Sequence, residues 1–415
     1  MGSFLFQNMM KRTLIAAICL MTIASTCVRA EHARGDAAVR TESSVRTGAE
    51  RMDKYLPLLE GKRVALCGNQ TSVVGKTHLV DTLLASHVQL VTLFCPEHGF
   101  RGQAEAGAKI ASGKDALTGL PVVSLYGKNK KPTAEQLQGI DVLLFDLQDV
   151  GCRFYTYIST LHYVMEAAAE NHVPVIVLDR PNPNGFYVDG PVLEPDFTSF
   201  VGMHPVPVVY GMTIGEYAQM INGEKWLANG VQCDLTVVSL EGYTHQTRYE
   251  LPVAPSPNLQ TVESVFLYPS LCFFEGTNIS VGRGTVQPFE MYGAPLLEEG
   301  DFKFTPHAIP GVSENPPHKD KECRGFLLRE EADNLLDAPD KPVQLNLEYL
   351  LTAYKYYSDK EHFFINSNFF DKLAGTSLLR KQIIDGMSEK EIRESWRDGL
   401  EEFMEIRGKY LLYEE

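Results

Sequence analysis

Six short aliphatic runs recur through the first 240 positions: RVALCG (63–68), VQLVTLFC (88–95), LPVVSLY (120–126), IDVLLFD (140–146), VPVIVLD (173–179) and CDLTVVSL (233–240). Runs continuous in Val, Ile and Leu belong to strands covered on both faces, because a half-exposed strand would alternate with polar residues. Helical spacing lies between them at 77–86, 132–138, 154–171 and 213–223. Strands alternating with helices predict an α/β domain of about 200 residues, a Rossmann-like, doubly wound parallel sheet.

In such a sheet ligands bind beyond the carboxyl ends of the strands. LFCPEHGFRG (93–102) ends its run in Glu97, His98 and Arg101. VLLFDLQDVGCRFYTYIST (142–160) ends in Asp146, Gln148, Asp149, Arg153, Tyr155 and Tyr157, and Asp179 opens DRPNPNG (179–185). The three clusters are therefore expected to meet on one rim as a site of chemistry. Pro96 and Gly99 pin the backbone around Glu97, which suits a general acid of raised pKa; the alternative is a loop acid paired with Arg101. Asp146 and Asp149 beside Arg153 could orient a water, or Asp149 could cap the next helix with Arg153 as its partner. Tyr155 and Tyr157 fit either a helix-face core or a platform for a sugar ring.

Beyond about position 250 the texture changes. A proline-rich crossing, PVAPSPNLQT (252–261), carries Asn258, and YPSLCFFEGTNISVGRGT (268–285) carries Glu275, Asn278 and Arg283. Glycines on both sides of Arg283 allow close approach of the backbone to a ligand, and a guanidinium suits a carboxylate; a structural loop clamp is the alternative. Longer helical patterns follow at 345–358 and 388–407, with a looped stretch at 305–323. Residues 51–250 thus form the first domain and 251–415 a smaller α+β domain whose first loops close over the rim.

Several function classes are excluded. The formal net charge is −15 and no Lys/Arg cluster stands out, which argues against nucleic acid and anionic membrane surfaces as partners. GNQTSVVGKT (68–77) places six residues between its glycine and GK where a phosphate loop needs four, and no GxGxxG follows the first strand. Cysteines 67, 95, 152, 233, 272 and 323 are scattered, with no CxxC or His/Cys pairing, so no metal is expected and buried free thiols are. At the amino terminus, Lys11 and Arg12 precede the apolar TLIAAICLMTIAS, and Val28 and Ala30 supply small residues for cleavage. That pattern predicts a signal peptide over 1–30, cleaved rather than lipid-anchored at Cys27, hence a secreted periplasmic or extracellular protein. Residues 31–50 read as a flexible polar linker, and no other segment is long enough to span a membrane.

Taken together, PEHGFRG, DLQDVGCRFYTYIST, DRPNPNG, VPVVYGMTIGEYAQMINGE (206–224), PSPNL and LCFFEGTNISVGRGT resemble the exo-β-N-acetylmuramidases of the NamZ type, from about residue 60 to the carboxyl terminus. The resemblance implies a glycosidase that removes non-reducing terminal N-acetylmuramic acid from peptidoglycan fragments in cell-wall turnover, without a cofactor, in a cleft between the two domains. Carried over by position, Glu97 becomes the catalytic acid, partnered by Asp146 or Asp149, with Glu275 as the outside candidate. His98, Arg101, Gln148, Arg153, Tyr155, Tyr157, Asn258, Asn278 and Arg283 become substrate-binding candidates, with Arg153 or Arg283 reading the lactyl carboxylate that distinguishes muramic acid from glucosamine. Another wall-directed hydrolase or a non-catalytic sugar-binding protein are the rival readings.

Overall fold

Each of the six aliphatic runs becomes a strand in the computed structural model, which describes residues 45–97, 99–101, 113–338 and 341–415. These are β1 (Arg63–Gly68), β2 (Gln89–Cys95), β3 (Pro121–Ser124), β4 (Val142–Asp146), β5 (Val175–Leu178) and β6 (Leu235–Val238). All five pairings between them are parallel, in the order β3-β2-β1-β4-β5-β6. A two-residue strand, Gly113–Lys114, adds an antiparallel edge beside β3. This is the doubly wound order, with its topological switch between β1 and β4.

The continuous runs are explained by the side-chain period of two along a strand. Val64 and Leu66 of β1, Val142 and Leu144 of β4, and Ile176 and Leu178 of β5 face one apolar core. Their neighbours Ala65, Cys67, Leu143, Phe145, Val175 and Val177 face another. The first core is covered by α1 (Met52–Leu59) and α2 (Leu79–Ala85) through Tyr55, Leu59, Leu79, Val80 and Leu83. The second is covered by α3 (Tyr157–Glu170) and α4 (Ile214–Gly223). Thr213 starts α4 with a capping box: its hydroxyl accepts from the Glu216 amide, and the Glu216 carboxylate accepts from the Thr213 amide at 2.8 Å.

Eleven of the fourteen residues of α3 are buried, far more than the single stripe of a surface helix. The reason is that the second core continues past the sheet into the carboxyl-terminal region, taking in Val265, Phe273, Phe274 and Phe370. That region contains α5 (Val262–Leu271), α6 (Ser367–Ala374) and an antiparallel sheet of Met291–Ala294, Cys323–Leu327 and Phe302–Phe304, in that order. The 388–407 pattern resolves into two helices, Glu389–Glu394 and Arg397–Arg407, separated where Trp396 turns inward.

The final residues return to the parallel sheet. The Tyr413 hydroxyl donates to Asp179, Leu412 N donates to Glu216, and both Nε and Nη2 of Arg407 donate to the Gly211 carbonyl. All six cysteines from Cys67 onward are buried and free. Among the described residues no helix is long and apolar enough to cross a membrane.

Candidate active site

Beyond the carboxyl ends of β2, β3 and β4 lies a cleft of about 500 Å³. The parallel sheet contributes Glu97 two residues after β2, Tyr126 two residues after β3, residues 154–156 between β4 and α3, and Tyr157 at the start of α3. The opposite wall comes from the 252–261 crossing, Tyr268 of α5, the Glu275 and Arg283 loops, residues 312–315, and Phe369 of α6.

Tyr126 is hydrogen-bonded to Glu97; burial and the Glu97 charge together push its hydroxyl pKa up, which keeps it a neutral donor. The Tyr155 and Tyr157 rings meet edge to face at 4.8 Å, and Tyr268 packs against Tyr155. Both the Tyr155 and Tyr157 hydroxyls donate to the carbonyl of Pro255, at 2.8 and 3.4 Å, so these rings are core and cleft wall at once. Glu275 sits on a short 3-10 turn, Cys272–Gly276, and Arg283 directs Nε and Nη2 to its Oε1 at 2.7 and 2.6 Å. Gly284 holds φ at +82°, and a Cβ there would come within 2.5 Å of the His307 carbonyl. Close packing of that loop against residues 307–316 therefore sets where Arg283 stands.

The structure brings Glu97, Tyr155, Tyr157, Glu275 and Arg283 together in the cleft and withdraws other candidates from it. Asp146 does not face the cleft: fully buried, it takes a two-oxygen ion pair from Arg180, Nε to Oδ1 at 2.6 Å and Nη2 to Oδ2 at 2.8 Å. Asp149 neither caps a helix nor pairs with Arg153, since its carboxylate accepts from the Gly151 amide and the Tyr210 hydroxyl inside the core. Burial pushes its pKa up to about 7, with those hydrogen bonds opposing. Asp179 is enclosed by Thr213, Gly215, the Arg180 amide and Tyr413. Gln148 donates to the carbonyls of Asp149 and Pro181.

Arg153 is the largest correction. It is fully buried, and its Nη1 and Nη2 donate to four carbonyls, those of Pro191, Val206, Leu373 and Ala374. Burial lowers its pKa to about 10, which still leaves it cationic at neutral pH. No substrate carboxylate reaches it there.

Arg101 directs its fork to Asp115 at 3.0 and 2.9 Å, and His98 lies outside the described residues. Asn258 and Asn278 act on the cleft indirectly. Asn258 Nδ2 donates to the Val312 carbonyl and the Asn278 carbonyl accepts from His318, so each braces the loop that carries residues 312–315.

Tyr126, Tyr268 and Glu314 line the cleft without having been singled out from the sequence. Tyr126 was within reach, since it ends the LPVVSLY run by the same rule that exposes Glu97. Glu314 carries no local signal, because a loop residue's partners are set by what the loop packs against. Among the described residues no three His, Cys, Asp or Glu side chains converge as a metal ion would require.

Comparison with known proteins adds three findings. Residues 64–263 match the family model for the exo-beta-N-acetylmuramidase NamZ amino-terminal domain, and residues 266–413 match that for its carboxyl-terminal domain. The chain is 41% identical to the peptidoglycan beta-N-acetylmuramidase NamZ of Bacillus subtilis (strain 168), across 97% of this chain and 100% of that one. Two crystal structures of DUF1343 family proteins from Bacteroides fragilis NCTC 9343 superpose on it. BF0379 does so with a TM-score of 0.82 at 44% identity and BF0371 with 0.71 at 32%, each over 90% of this chain and all of the other.

Two outcomes follow from this geometry. Arg153→Met removes the guanidinium donors from four buried carbonyls, of which, among the described residues, Val206 alone keeps a bond, from the Leu193 amide, and should lower unfolding free energy by about 3–5 kcal/mol in urea titration, with Arg153→Lys intermediate; a Met variant within ~1 kcal/mol of wild type would refute the clamp. For Asp149, a folded pKa of about 7 means that the native state keeps a proton which the unfolded chain releases above about pH 4. Native stability therefore falls as pH rises from about 4 to 7, and Asp149→Asn removes that slope. Melting of both proteins across this range should show the variant gaining on wild type by roughly 2–4 kcal/mol; a constant difference would show that Asp149 ionises normally.

Proposed function

The chain belongs to the exo-beta-N-acetylmuramidase NamZ family, and on that premise we infer that it is a peptidoglycan-acting glycosidase releasing N-acetylmuramic acid from the non-reducing end of wall fragments. The observation that carries the reading is the cleft lining. Glu97, with the Tyr126 hydroxyl bonded to it, faces the same space as the Glu275–Arg283 pair and the rings of Tyr155, Tyr157 and Tyr268.

Glycoside hydrolysis needs a proton for the departing oxygen and a second carboxylate to stabilise or attack the oxocarbenium-like centre. We assign the proton to Glu97, which stands two residues beyond the end of β2. With Asp146 and Asp149 withdrawn into the core, Glu275 takes the second role. The tyrosine faces offer apolar surface to a sugar ring, while hydrogen bonds to Pro255 keep two of them from turning. Arg283 is placed to receive the lactyl carboxylate. Export completes the reading: Lys11, Arg12, the apolar run after them and Ala30 form a leader that directs the chain to the compartment where peptidoglycan is turned over.

Glu97→Gln keeps shape and removes the proton donor. It should reduce turnover of a natural muramyl disaccharide on the order of 10²–10⁴-fold, and that of a nitrophenyl muramide less, because an activated leaving group departs without help. Near-normal turnover of the natural substrate by this variant would remove Glu97 from the mechanism. Export is tested separately by sequencing the amino terminus of the protein recovered outside the cytoplasm, where Glu31 is expected first; full-length chain confined to the cytosol would contradict the leader.

A further inference from the structure

The carboxylates and guanidinium of the cleft do not balance. Its described lining holds three acids, Glu97, Glu275 and Glu314, and one cation, Arg283. An N-acetylmuramic acid residue brings a further negative charge into this space. Unless a cation meets it, a like-charge approach at close range in a partly desolvated cleft opposes binding. Arg283 is the available cation among the described lining residues, yet Glu275 already holds it.

The form of that pair differs from three two-oxygen pairs in the molecule and is shared by Arg393 and Glu389, which lie outside this cleft. Arg180 meets Asp146, Arg101 meets Asp115 and Arg380 meets Asp371 with Nε on one carboxylate oxygen and Nη2 on the other. That fork-to-fork geometry is the strong arrangement of guanidinium and carboxylate. Arg283 instead crowds Nε and Nη2 onto the single oxygen Oε1 of Glu275. Both side chains also keep contact with the cleft, at 20% and 26% exposure, whereas Arg180 and Asp146 are at 3% and 0%. A partly exposed pair that lines the cleft and lacks the two-oxygen geometry is one that an incoming carboxylate can exchange with.

The backbone around it is prepared to stay still during such an exchange. Gly282 and Gly284 flank Arg283 at φ +78° and +82°, and the space where a Cβ would sit on either is filled by neighbouring atoms. A Cβ on Gly276, directly after Glu275, would lie 2.7 Å from the Phe370 Cα. The exchange therefore needs only side-chain rotation.

We propose that Glu275 holds Arg283 as a placeholder, and that the carboxylate of the incoming muramic acid takes the guanidinium over and so releases Glu275 toward the sugar. The proposal rests on the muramidase reading for the identity of the substrate. It makes the acid group of the substrate a trigger as well as a handle. A glucosamine residue fits the same ring subsite but leaves Glu275 engaged, so discrimination appears in kcat more than in KM. Binding energy from a non-reacting part of the substrate is thereby used at the reacting centre.

Calorimetric titration of the full chain with free N-acetylmuramic acid and with N-acetylglucosamine tests the exchange without requiring turnover. In Glu275→Gln, Arg283 no longer has a charged competitor, so N-acetylmuramic acid should bind about ten-fold tighter while N-acetylglucosamine changes less than about two-fold. Arg283→Met should erase the preference between the two sugars; Arg283→Lys, which keeps the charge without the fork, should retain part of it and serves if the Met variant does not fold. Unchanged or weakened N-acetylmuramic acid binding in Glu275→Gln overturns the proposal, as does a preference that survives in Arg283→Met. In the wild type, nitrophenyl glycosides of the two sugars should differ mainly in kcat; a difference confined to KM also overturns it. Absence of any turnover of the muramic acid glycoside by wild type would instead sink the muramidase reading, while the binding arms still decide whether the carboxylate exchange occurs.

Discussion

The molecule is organised around a buried charge with no acid beside it. Arg153 carries its guanidinium in the interior and divides it among four backbone carbonyls, two from the loops after β5 and two from α6. An unpaired ion in an apolar interior is strongly unfavourable, and only a dense set of oriented carbonyl dipoles offsets that. Satisfying one residue therefore requires the amino- and carboxyl-terminal regions to be present and correctly placed at once. The next four residues, 154–157, are the tyrosine-rich cleft wall. The side chain that ties the two regions together is thus bonded directly to the segment that forms the site between them.

A second buried charge explains where the site is. In a doubly wound sheet the natural binding crevice lies at the switch between β1 and β4. Here Asp146 at the end of β4 pairs with Arg180, Arg180 reaches the Val73 carbonyl, and Ser72 bonds to the Asp146 carbonyl. That crevice is filled by the protein's own side chains. The open space is displaced toward β2 and β3, where Glu97 and Tyr126 emerge and the carboxyl-terminal loops complete the enclosure. A fold associated with nucleotides is thereby turned to a different ligand without altering its strand order.

The polar groups of the cleft depend on structure remote in sequence. Asn258 and Asn278 hold the 312–318 loop through a carbonyl and a histidine, and Gly282 and Gly284, both at positive φ, flank Arg283. Glu97 follows β2 of the parallel sheet by two residues, while Glu275 comes from a short 3-10 turn of the carboxyl-terminal region.

The parallel strands, the layer structure and the position of Glu97 were legible in the sequence because they rest on short-range physics: continuous aliphatic runs, helical spacing between them, and the geometric rule that parallel strands end on one edge. The same rule placed Asp146, Asp149 and Asp179 at that edge and stopped there. A residue number on a strand end does not say whether the side chain turns toward solvent or into the protein. That choice depends on partners such as Arg180, Tyr210 and Tyr413, which lie 34, 61 and 234 residues away. Arg153 misled for the same reason: composition can reveal a cation beside two acids, but not four carbonyls gathered from as far as residue 374. Local pattern determined which elements form and which edge carries chemistry; only the tertiary structure decided which charges are neutralised inside and which remain for a substrate, because burial and pairing are properties of contacts between distant segments.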